Sequence, residues 1–316
     1  MAKLQSTEIV GVANRPATIC SNTMCIWFDT TNLKTVISYF IGTSWSAGGA
    51  MITARLSLAG AGTQNEGLAF GGYPGGSCTE EYNGTSWSAG GTLAIGRYPL
   101  GSAGTQNAGL AFGGNPFGMC TEEYNGTSWA AGGALIRSRQ LLAGAGTQNV
   151  GLGFGGYPNT AAVCTEEYNG TSWSAGGALI TGRNSLAGAG TQNEGLAIGG
   201  YTVGFIRVSC TEEYNGTSWS AGGALITARK SLAGAGTQNV GLAFGGTTAS
   251  LVSCTEEYNG TSWSAGVPLI TARDRLAGAG TQNEGLAMGG VNGPSIVSCT
   301  EEYNKPLTSV VVDSIQ

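Results

Sequence analysis

A chain of 316 residues with a net charge of −5, only 10% charged residues and no histidine is poorly suited to binding nucleic acid or an acidic membrane surface. No stretch is long and apolar enough for a membrane-spanning helix, so membrane insertion is not expected. In chain order, residues 1–23 read as an arm; it lacks a basic region followed by an apolar core, so a secretory signal peptide is not expected and synthesis in a cytoplasm is. Residues 24–42 read as a hairpin-like attachment segment, with strands expected over 26–29 and 35–40. Residues 43–304 repeat themselves. Residues 305–316 form a tail with a β-rich run at 309–312.

The repeat is marked by Trp45, Trp87, Trp129, Trp173, Trp219 and Trp263, which are separated by 42, 42, 44, 46 and 44 residues. A period of this size denotes a repeat architecture. Glycine is too dense, and the apolar runs too short, for a helix. Each copy offers four short strands, seen in the last full copy at 276–282, 284–290, 254–258 and 261–265. The first two are apolar or small on both faces, as strands buried on both sides are. The Asn-Gly dipeptide between the last two, as at Asn259-Gly260, signals a hairpin in which both residues tolerate positive φ. A four-stranded sheet of this kind has two faces to cover, and six arranged radially cover one another. The fold expected is therefore all-β, a propeller of six four-stranded antiparallel blades. The strand over 43–47 supplies the outer strand of the blade begun at Leu276. A seven-bladed closure by 309–312 is the alternative.

The order of an apolar strand, Gly-Gly, a variable loop, Tyr, a turn, Trp and then Arg is carried by Phe70-Gly71-Gly72, Tyr82, Trp87 and Arg97 and their equivalents. It resembles the kelch repeat. The Gly-His and Trp-Asp marks of WD-type propellers are missing. The near-identity of the copies resembles the repeat arrays of phage tail and virion-surface proteins, and the Ile-Trp-Phe-Asp-Thr-Thr opening at residue 26 resembles short hairpins of phage tail proteins.

Twelve of the 19 acidic residues lie in six Glu-Glu pairs. Paired carboxylates suit acid–base catalysis, but a sixfold repetition points to structure. Successive strand residues face opposite ways, so one Glu of each pair shares a face with Cys and Tyr. The expected structural bridges join Arg55, Arg97, Arg139, Arg183, Arg229 and Arg273 to Glu80, Glu122, Glu166, Glu212, Glu256 and Glu301, within or between blades. Cys78, Cys120, Cys164, Cys210, Cys254 and Cys299 recur once per repeat. They read as small buried apolar residues, reduced and not bridged; the same reduced state is expected of Cys20 and Cys25, with a bond between those two as the alternative. The AGAGTQNEG word lacks the Gly-Lys-Ser/Thr of a phosphate-binding loop. Its glutamines, Gln64 through Gln282, are expected to form a ring able to hold waters or an ion. The Asn-Gly-Thr words match the N-glycosylation pattern but are explained by their turns, and the tryptophans by packing between blades.

The informative differences between the copies lie in the loop after Gly-Gly and in the residue after the repeated Arg. In a four-stranded up-and-down blade these two places lie at the same end. The candidate ligand-binding residues there are Tyr73, Tyr98, Asn115, Phe117, Tyr157, Tyr201, Phe205, Arg207, Lys230, Asp274 and Arg275. No catalytic, metal or cofactor residue is expected. The resemblance implies a non-enzymatic virion-surface protein of a phage tail or appendage, presenting a loop-built face to a receptor, a host glycan or a neighbouring virion protein. The alternatives are an intracellular kelch-type interaction adaptor and a propeller enzyme; copper chemistry on this architecture needs histidine ligands, which the chain lacks.

Overall fold

The computed structural model describes residues 24–29, 34–39 and 42–305, the first two segments as backbone only. One compact unit is the repeat region, Trp45–Tyr303. The other contains a hairpin of Met24–Asp29 against Lys34–Tyr39, registered Met24 to Tyr39. Cys20 and the 309–312 run lie outside the described residues.

Each repeat forms one four-stranded antiparallel sheet, and the described residues contain six such sheets. Blade 1 pairs Ala59–Gly62, Gly67–Phe70, Thr79–Tyr82 and Trp87–Ala89 in chain order. Blades 2 to 6 begin at Gly101–Gly104, Ala143–Gly146, Ala187–Gly190, Ala233–Gly236 and Ala277–Gly280. These first strands neighbour one another around a closed ring, with that of blade 6 against that of blade 1. Crowding at the axis explains their composition. A Cβ on Gly144 would lie 2.2 Å from the Ser102 carbonyl oxygen. Blade 2 carries Ser102 where the others carry glycine, and its hydroxyl donates to the Gly60 carbonyl at 2.8 Å. Second strands such as Gly67–Phe70 are buried at every residue, because a blade lies on each side of them.

Ring closure joins the two ends of the repeat region. Blade 6 consists of Ala277–Gly280, Glu284–Met288 and Thr300–Asn304, and Ser44–Ala47 is its outer strand. Trp45 packs on Tyr303 with ring centroids 5.0 Å apart, and Gly48 N–H donates to the Thr300 carbonyl at 3.0 Å. The blade's outer place is thus filled from the N-terminal side, which gives six blades and not seven. The free edge of the Thr300–Asn304 strand is covered.

Two local readings change. The observed strands are shorter than expected; the fourth strand of blade 5 is Trp263–Ala265 only. The Asn-Gly turn is a four-residue loop, since Tyr82 pairs directly with Trp87. Only the glycine has positive φ, +84° at Gly84. Asn83 instead accepts the N–H groups of Thr85 and Ser86 on its side-chain oxygen at 3.0 and 2.9 Å, an Asx turn that does the work expected of a left-handed asparagine.

Three polar contacts recur at every blade boundary. Each Trp indole donates to a Thr hydroxyl of the preceding blade, as Trp129 does to Thr79 at 2.9 Å, so a buried N–H is satisfied between apolar faces. Each Gln amide donates to two carbonyls of the preceding blade; Gln106 reaches Gly67 at 3.0 Å and Tyr82 at 2.7 Å. The expected ring of channel glutamines is therefore corrected: the amides are committed to backbone at the boundaries, and the axial cavity beneath the upper mouth is lined by the first strands themselves. Finally, each Tyr hydroxyl donates at 2.5 Å to the second glutamate of the preceding blade, as Tyr124 does to Glu81, and accepts a backbone N–H such as that of Gly91.

Burial, and then the hydrogen bond to Glu81, push the Tyr124 phenol up to about 12; Tyr82, Tyr168, Tyr214 and Tyr258 are pushed up to the same value. A folded-state value above that of the unfolded chain means that this stabilisation is complete below about pH 10 and is lost as pH rises toward about 12. Alkaline titration followed at the phenolate band is expected to show the buried tyrosines ionising together with loss of β-structure. Ionisation of all of them near pH 10 with the fold intact would contradict the contact.

Candidate binding face

Strand order places the loops after the second and fourth strands at one end of the propeller, here called the upper face. Beneath them lie the Arg–Glu pairs. Arg139 Nη2 is 2.8 Å from Glu166 Oε1, and the equivalent contacts are 2.9 Å in Arg55–Glu80, 3.0 Å in Arg97–Glu122, 3.3 Å in Arg183–Glu212 and 3.2 Å in Arg273–Glu301; Arg229 pairs with Glu256 in the same way. In every pair the glutamate is on the third strand of a blade and the arginine is on the loop that leads into that blade from the one before it. The arginines are among the largest fully buried side chains, and the first glutamate of each Glu-Glu pair is the buried one. Burial pulls the Arg139 guanidinium below its ordinary value, opposed by the Glu166 charge.

In blade 3 the pair ties down two upper loops, and Arg55 and Arg273 make the same carbonyl contacts in blades 1 and 6. Arg139 Nη1 donates to the carbonyls of Gly155 and Cys164, at the two ends of the loop after the second strand. Glu166 accepts the Ile136 N–H at 2.6 Å, from the loop that follows the fourth strand of the preceding blade. Neighbouring loops are knitted as well: Gly156 N–H, at the end of the second strand of blade 3, donates to the Arg183 carbonyl at 2.9 Å. The cysteines sit on this rim, free and half-buried rather than buried, which corrects the expectation of core residues.

On this support the variable positions meet in pairs. The residue after each Arg forms a short bridge with the residue after Gly-Gly: Leu56 with Tyr73, Tyr98 with Asn115, Gln140 with Tyr157, Asn184 with Tyr201, Lys230 with Thr247 and Asp274 with Val291. Tyr73 and Tyr98 pack together across blades 1 and 2, ring centroids 5.4 Å apart. Tyr201 lies 5.8 Å from Phe205, and Lys230 Nζ stands 4.1 Å over the Tyr201 ring. Arg207 bridges Tyr201 from the far side of its loop. Phe117 and Tyr157 are about half exposed on their own loops, with no aromatic ring among the described residues packed on either, and Asn115 is exposed. Asp274 is buried, its carboxylate accepting from Arg275 Nε at 3.2 Å, so it orients Arg275 and is not itself offered to a ligand, contrary to expectation.

At the centre of the face, Ser57, Pro99, Leu141, Ser185, Ser231 and Arg275 form a ring that lines the mouth of the axial opening; of these six, sequence reasoning had singled out Arg275 alone. Ser57 N–H donates to the Arg275 carbonyl at 2.7 Å, Arg275 to Ser231 at 2.9 Å, Ser231 to Ser185 at 2.8 Å, Ser185 to Leu141 at 2.9 Å and Leu141 to Pro99 at 3.3 Å. Pro99 has no N–H to pass on, so the ring has five bonds. Its five non-proline members all have positive φ, between 52° and 59°, a conformation that side chains usually avoid. No local pattern marks them; only their place two residues after the repeated Arg does. The hydrogen-bonded Tyr and second Glu were also missed, although both recur in the Glu-Glu-Tyr word.

Fold and site together define a six-bladed β-propeller with a loop-built face, a form suited to a binding or structural role. No protein-family model matches the chain, and no curated protein matches it. Among the described residues no three His, Cys, Asp or Glu side chains are grouped to hold a metal.

Proposed function

We propose that this protein is a non-enzymatic binding module of a virion surface, part of a phage tail or appendage, built from kelch-like repeats. Its upper face meets a host receptor, a glycan or a neighbouring virion protein. One observation carries the reading. Six nearly identical blades differ mainly where side chains are exposed on upper loops, while their boundaries and most of their lower turns are the same. Positions tied into blade contacts cannot change without loss of stability. The exposed upper positions are free to, and they have acquired Tyr73, Phe117, Tyr157, Phe205 and Arg207, large side chains of the kind that make contacts.

Replacing residues 204–208 (GFIRV) by a short Gly-Ser loop is expected to leave the melting temperature nearly unchanged and to weaken attachment of the protein to its target. Val203, Phe205 and Ile206 are exposed, and the loop's own turn, Phe205 N–H to the Thr202 carbonyl at 3.0 Å, is remote from the blade boundaries. Unchanged attachment would move the contact away from this face. Absence of the protein from purified particles would remove the virion assignment.

A further inference from the structure

Charge is segregated between the two ends of the propeller. Apart from the buried Arg–Glu pairs, the cations between Trp45 and Tyr303 are Arg137, Arg207, Lys230 and Arg275. All four lie on upper loops. The upper face has one carboxylate of its own, Asp274, buried against Arg275. The lower turns of the same unit hold Glu66, Glu194 and Glu284, all exposed, and no cation. The second glutamates are half-buried within the blade boundaries, where tyrosine hydroxyls donate to them. An acidic chain thus presents one basic end.

The cations are also gathered on that end. Arg207 bridges Tyr201, Lys230 stands over the Tyr201 ring, and the residue after Lys230 accepts the Arg275 N–H at 2.9 Å. Among the described residues neither Arg207 nor Lys230 forms a salt bridge. Phe205, 74% exposed, lies beside Tyr201. An exposed Phe205 ring beside the half-buried Tyr201, next to two cations without carboxylate partners, suits a ligand with apolar C–H faces and regularly spaced anions.

We propose that the upper face over blades 4 to 6 binds an acidic polysaccharide, with Arg207, Lys230 and Arg275 facing its carboxylates or sulfates and Tyr201 and Phe205 packing on its sugar rings. This rests on the reading of the upper face as the binding face and adds the chemical class of its partner. A nucleic acid fits less well. Its affinity comes from neutralising many phosphates, and three cations on a chain of net charge −5 supply few such contacts.

The test uses the full chain with three immobilised probes: polygalacturonate, neutral dextran and a single-stranded oligonucleotide. The expected result is retention on polygalacturonate that weakens as salt rises, with little retention on the other two. Arg207→Gln combined with Lys230→Gln is expected to weaken polygalacturonate binding about tenfold while the melting temperature holds, because neither side chain has a carboxylate partner to leave unpaired. Adding Arg275→Gln should weaken it further, and Glu194→Gln on the lower face should not. Equal, salt-insensitive retention on dextran and polygalacturonate would overturn the acidic specificity and leave the binding face standing. Retention on neither sugar, with attachment still lost on replacing 204–208, would overturn the glycan and point to a protein partner. Preference for the oligonucleotide would overturn it in favour of nucleic acid.

Discussion

Arg139→Ala is expected to destabilise the protein by about 3–5 kcal/mol, the range seen when one member of a buried ion pair is removed. Glu166 would be left buried with its charge uncompensated. The carbonyls of Gly155 and Cys164 would lose their donor in the same step, and with it the anchoring of the upper loop of blade 3. The control is two residues away. Arg137 is exposed, makes no salt bridge among the described residues, and its replacement by alanine should fall within about ±0.5 kcal/mol. Thermal or denaturant unfolding of the two variants measures the difference. Comparable shifts would mean that the buried guanidinium contributes little. Exchanging both Arg139 and Glu166 for apolar residues is not expected to be neutral, as it is for many buried pairs, because this arginine also caps backbone.

The second large effect concerns closure. A chain beginning at Gly49 lacks Ser44–Ala47, and blade 6 is left with three strands and the open edge of Thr300–Asn304. It also lacks Trp45, packed between Phe244 and Tyr303 at ring distances of 5.0 Å. Loss of a buried tryptophan alone costs about 3–5 kcal/mol, and an exposed edge invites pairing between chains. The truncated protein is expected to melt well below the full chain and to self-associate. A peptide carrying GTSWSAGG should restore its melting temperature in proportion to concentration, since it binds only the folded form. The equivalent TSWSAGG sequence from blade 1 or 4 should complement as well, because the same Trp–Thr and Trp–Tyr contacts recur there. An unchanged melting temperature after truncation would show that the ring does not depend on this strand.

The sequence by itself determined the propeller. The spacing of six tryptophans set the repeat, the alternation in Thr-Glu-Glu-Tyr marked one glutamate of each pair for burial, and glycine with alanine in the first strands followed from crowding at an axis. These are local patterns, and repetition made them legible six times over. The choice of six blades over seven could be posed from the unmatched Trp45, but it was decided only when Ser44–Ala47 paired with Thr300–Asn304, two segments separated by most of the chain. Tertiary structure alone decided the contacts between blades. That Gln106 caps carbonyls of blade 1, or that Tyr124 reaches Glu81, depends on the rotation from one blade to the next, which no single repeat encodes. The left-handed ring at Ser57, Leu141, Ser185, Ser231 and Arg275 belongs to the same class: unremarkable residues take an unfavourable conformation because each one's N–H finds its acceptor on the neighbouring blade.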